Sequence, residues 1–135
     1  MFLAEFLSAQ PSNNNCGSAI TVIPDGTCYN GTTVGASDNW VGTVGCQSGN
    51  NHPDVWYSFI ATGSTLDVNV IAGTLTGNIE FVLVGSTGPC SGLTNAGSLC
   101  GASPLTGTIN GYSQELFTII RFHRLPDLKE RLLPV

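Results

Sequence analysis

Apolar and polar residues alternate with a period of two along several stretches of this 135-residue chain. In residues 54–61, Val55, Tyr57, Phe59 and Ala61 fall on one side, and Trp56, Ser58 and Ile60 on the other. One face is apolar throughout and the second partly so, which predicts a strand with Phe59 in the core. After a turn at Thr62-Gly63-Ser64, Leu66, Val68 and Val70 alternate with Asp67 and Asn69, the pattern of a strand with one face buried. Residues 78–84 repeat it, with Ile79, Phe81 and Leu83 opposite Glu80. Two more strands are expected at 105–109 and 115–122; the second carries Leu116, Phe117, Ile119, Ile120 and Phe122, too much apolar surface to leave in water. Weaker candidates lie at 18–23, 27–34 and 38–44, the first stopped by Pro24-Asp25-Gly26, where Pro fixes φ and Gly accepts a positive one. About eight strands without a long helical period predict an all-β fold, an antiparallel β-sandwich or jelly roll.

The ends break this pattern. Residues 1–12 begin apolar and run into small residues, like the end of a secretory signal peptide without its basic start and with a cut near Ala9 or Gln10. A folded strand or short surface helix is the competing reading. Residues 13–122 form the predicted β-domain. Residues 123–135 are basic and Leu-rich. Pro126 suits the first turn of a short C-terminal helix, with Leu128, Leu132 and Leu133 along one side. A flexible tail and foreign sequence are the alternatives, and order is expected to decay after His123.

Charge sharpens the division. No Lys or Arg precedes Arg121, whereas seven acidic residues do. Such a surface has no basic face for phosphate, so nucleic acid is excluded as a partner. No apolar run reaches the roughly 20 residues of a membrane-spanning helix. Only 10% of residues are charged, and five are Cys. Cysteines at this density in a short chain without a CxxC pair point to an oxidising compartment, hence to a secreted or cell-surface protein. Cys90 and Cys100 flank a short Gly-Ser-rich stretch and are expected to form one staple; Cys16 and Cys28 are expected to form a second, with Cys46 left over or exchanged into it.

The order Asn14-Asn15-Cys16-Gly17-Ser18-Ala19-Ile20, Asp54-Val55-Trp56-Tyr57-Ser58-Phe59 and Cys90-Ser91-Gly92-Leu93 resembles the secreted β-sandwich domains of exported Bacteroidota surface proteins. Those are similar in turn to bacterial pre-peptidase C-terminal domains. The resemblance covers roughly residues 13–111, with the Trp-Tyr-Ser-Phe strand its most specific part. It implies attachment, adhesion or substrate presentation outside the cell, and it supplies no catalytic set. The final strand of that family matches residues 112–122 only weakly.

The chain is poor in catalytic constellations. Only His52 and His123 could act as bases, and no G-x-S-x-G elbow is present. Asp67 and Glu80 alternate with apolar residues, so both are expected on a solvated outer face rather than as a glycosidase pair. Calcium is the one cofactor candidate. Asp25, Asp38, Asp54, Asn50 and Asn51 are hard oxygen donors, with Asp54 the foremost. Trp40 and Trp56, with Tyr29 behind them, are the residues that could stack on a sugar ring, although Trp on strands mostly serves the core. Asn30-Gly31-Thr32 fits an N-glycosylation acceptor, read as a chance match.

The expected function is a non-enzymatic extracellular module for adhesion, or an accessory domain of an exported protein, with a glycan or a protein surface as ligand. The alternatives are a carbohydrate-binding module of a secreted hydrolase and a subunit that self-associates through edge strands.

Overall fold

The computed structural model describes residues 10–37, 53–61, 63–72, 78–86, 90–111, 115–122 and 132–134, the last two stretches as backbone. The protein is all-β. Its strands are β1 (Ile20–Thr21), β2 (Asp54–Ile60), β3 (Thr65–Ala72), β4 (Ile79–Gly85), β5 (Thr94–Gly101), β6 (Leu105–Asn110), β7 (Glu115–Phe122) and β8 (Leu132–Pro134). A 3-10 turn, Cys16–Ser18, precedes β1. The first sheet has the order β1-β2-β7-β4-β5 and the second β6-β3-β8. Among the described residues, these ladders are antiparallel except that of β1 on β2.

The two sheets pack over one core. It is built from Val55, Tyr57 and Phe59 of β2, Val68 and Val70 of β3, Ile79, Phe81 and Leu83 of β4, and Leu105 and Ile109 of β6. These are the apolar members of the alternating stretches, and Phe59 is buried as the pattern predicts. β5 and β6 adjoin closely. A Cβ on Gly97 would lie 2.6 Å from Ile109 Cγ2, and one on Gly107 2.8 Å from Leu99 Cδ2. Glycine at these positions lets the edges of the two sheets meet.

Three elements differ from expectation. Residues 27–34 form no strand, because the backbone turns instead: Thr27 N–H donates to Asp25 Oδ1 at 3.0 Å, and Val34 N–H to Thr32 Oγ1 at 3.1 Å. Thr94–Gly101, whose Gly and Ser suggested a loop, is a full strand along β4. Leu132–Pro134, assigned to a helix or tail, pairs with β3 from Val70↔Pro134 to Ala72↔Leu132. Three residues along an open ladder gain backbone hydrogen bonds that a tail in water lacks. The remainder of the basic tail, residues 1–9 of the N-terminal signal-like stretch and the strand expected at 38–44 lie outside the described residues.

Candidate functional site

The face of the first sheet turned away from the core is also covered. Trp56, Val82 and Val84 form a second buried cluster there, with Cys16, Ala19, Leu93 and Cys100 packed against it. The N-terminal segment supplies Cys16 and Ala19 to this cover, and its hydrogen bonds run along the edge of β2 opposite β7. The Trp56 N–H donates to the Asn13 carbonyl at 2.9 Å, and Asn13 Nδ2 donates back to the Trp56 carbonyl at 3.0 Å. The Asp54 N–H donates to the Ser37 carbonyl at 3.1 Å, and the Val22 N–H to the Ser58 carbonyl at 2.8 Å. Asn14 closes the segment on itself: its Nδ2 donates to Ser37 Oγ at 2.9 Å, and its Oδ1 accepts the Ser37 N–H at 2.8 Å. Both Asn13 and Asn14 are buried. An amide side chain offers donor and acceptor together, which suits a strand edge where both groups need partners.

A disulfide between Cys16 and Cys90, with Cα atoms 5.8 Å apart, pins this cover. The two expected staples are therefore corrected. Cys90 cannot pair with Cys100, because the strand Thr94–Gly101 carries Cys100 away at about 3.3 Å per residue. Cys16 pairs with Cys90 rather than Cys28, and Cys28 is an exposed free thiol. Cys100 is itself disulfide-bonded.

Asp54 and Trp56, the foremost calcium and sugar candidates, belong to this buried face. Trp56 is 2% exposed and its Nε1 donates to Asp54 Oδ1 at 3.2 Å, so the ring has no face open to a sugar. Asp54 is fully buried. Glu80, expected in solvent, is also buried: its side of β4 points outward from the core as the alternation predicts, but the outward side is itself covered. Asp67 is exposed as expected, and Thr108 Oγ1 donates to its Oδ1 at 2.8 Å. Asp25 serves its own turn, and the Thr27 hydroxyl and amide hold its carboxyl below the usual range. The Tyr29 hydroxyl accepts the Ile23 N–H at 2.9 Å. Burial pushes the Tyr57 phenol up, an effect that Asn13 opposes. Among the described residues, no three His, Cys, Asp or Glu side chains gather to hold a metal ion. Trp40, Asp38, Cys46, Asn50, Asn51, His52 and His123 lie outside the described residues.

Alternation alone missed the burial of Asp54 and Glu80, and the role of the Asn13-Asn14 run. The available signal was the run of three asparagines, Asn13 to Asn15, directly before the first cysteine. Among the described residues, no helix is long and apolar enough to cross a membrane. No protein-family model, curated protein or solved structure matches this chain.

Proposed function

We propose that the chain is a non-enzymatic extracellular β-sandwich module that works in adhesion or as an accessory domain of an exported protein. The observation that carries this reading is the cover over β2, held by Asn13 and Asn14 and locked by Cys16–Cys90. A bridge across two distant parts of the chain is a device of proteins that fold where thiols oxidise. The likeness of the Asn-Cys opening and the Asp-Val-Trp-Tyr-Ser-Phe strand to exported Bacteroidota domains supports the same reading. The described surface carries few charges, which suits contact with a neutral glycan or a protein face.

Two measurements test it. Intact-mass analysis of the exported, unreduced chain after denaturing alkylation is expected to show one modified thiol, Cys28; five modified thiols overturn the extracellular assignment. Binding of the purified chain to immobilised glycans and to protein-coated surfaces is expected without turnover, and chemical conversion of a bound ligand overturns the non-enzymatic one.

Self-association has a specific observation of its own. β3 pairs with β6 along Thr65 to Val70 but with β8 only from Val70 to Ala72. Among the described residues, 65–69 therefore carry a strand on one side only, and such an edge accepts a further strand. Light scattering across a concentration series separates this reading from a monomeric adhesion module.

A further inference from the structure

Asp54 and Glu80 lie in strands that never pair with each other, because β7 runs between β2 and β4. Arg121 of β7 is the register partner of both: Asp54↔Arg121 on one side and Glu80↔Arg121 on the other. It is also the first Lys or Arg in the chain. Residues directly opposite in an antiparallel ladder share a face, with Cβ atoms about 4.5–5.5 Å apart. Ionised carboxylates removed from water need a compensating charge, and a guanidinium has donors enough for two.

The apolar pattern of β7 does not select its register. Leu116, Ile120 and Phe122 fall on one alternation and Phe117 and Ile119 on the other, so a slip by one residue keeps apolar groups on both faces. A slip by two preserves the alternation but moves Arg121 opposite Trp56 and Val82, the present partners of Ile119. We infer that Arg121 is the counter-charge shared by Asp54 and Glu80, and that this row keys β7 into the slot between β2 and β4 in one register. Among the described residues the neighbouring groups do not titrate: Trp56 Nε1 donates to Asp54, Cys16 is bonded to Cys90, and Cys100, opposite Glu80 on β5, is disulfide-bonded.

The test uses the full chain with Arg121→Met, Arg121→Lys and the triple change Asp54→Asn/Glu80→Gln/Arg121→Met, melted at pH 7 and pH 5. Without the cation, burial raises both carboxyls above their unfolded values of about 4. Folding then gains stability as pH falls through those raised values. Arg121→Met is expected to melt below the wild type at pH 7 and to close much of the gap at pH 5, while Arg121→Lys keeps most of the wild-type melting temperature. A gap that is the same at both pH values overturns the shared counter-charge. If Arg121→Met folds at neither pH, the triple variant decides: recovered folding supports the row, and continued failure overturns it. The register is read by cross-strand NOEs. The wild type is expected to show the Val55–Ile120 pairing alone, and folded Arg121→Met a second set offset by two residues. A single native set in Arg121→Met overturns the keying role.

Discussion

Replacing both Cys16 and Cys90 by Ala tests the covered face most directly. The two residues are 74 apart in sequence. In the chain-entropy treatment, a crosslink closing a loop of that length removes about 4.5 kcal/mol of disorder from the unfolded state. The Cys90–Cys100 bridge first expected, with about ten residues in its loop, gives nearer 3 kcal/mol in the same treatment. For a domain of this size, 4.5 kcal/mol lowers the melting temperature by roughly 15 °C. The β2 edge bonds to Asn13, Val22 and Ser37 survive the change, so the variant is expected to fold, with a looser cover over Trp56. Guanidinium unfolding followed by tryptophan fluorescence and far-UV circular dichroism reads the loss. The m-value is expected to rise, because the uncrosslinked denatured chain exposes more surface. A stability loss below about 1 kcal/mol, the size of an ordinary surface change, would falsify the bridge as a tether between the cover and the sheet.

The other predictions concern single side chains. Phe59→Ala empties part of the core shared by the two sheets and is expected to cost about 3–5 kcal/mol in chemical denaturation; a cost near zero contradicts its placement. Trp56→Phe keeps most of the ring but deprives Asp54 of a donor, so a loss of about 1–3 kcal/mol is expected, and an unchanged unfolding midpoint argues against that hydrogen bond. The Tyr57 phenol is raised by burial from its ordinary value of 10.0. The stability linked to its neutral form is therefore fully present below pH 10 and is lost as pH rises through the higher folded value. Tyr57→Phe should flatten that alkaline fall, and an identical stability–pH curve for both proteins refutes the assignment.

β2 and β7 were legible because their apolar content is dense. Val55, Tyr57 and Phe59 mark a core face without help, and the run from Leu116 to Phe122 has no use in water. β5 was not, since Thr94–Gly101 has only Leu99 as a large apolar residue and is a strand because β4 presents it with a ladder. Alternation separates two faces of a strand but says nothing about what lies over each. Asp67 and Glu80 therefore read alike, although one faces water and the other is buried on a covered face. Cysteine pairing failed for a related reason: Cys16 and Cys90 meet through the cover, a contact between segments far apart in sequence, whereas spacing favours near neighbours.

The place of β7 has a consequence for synthesis. β2 and β4 are made first, yet they join one sheet only through Glu115–Phe122, which emerges after all the strands from β1 to β6. A nascent chain that stops short of residue 115 has both flanking strands but no keystone, and its first sheet stays split. Contacts of such long sequence separation form slowly. Closure of the first sheet is thereby deferred until Phe122 has left the ribosome.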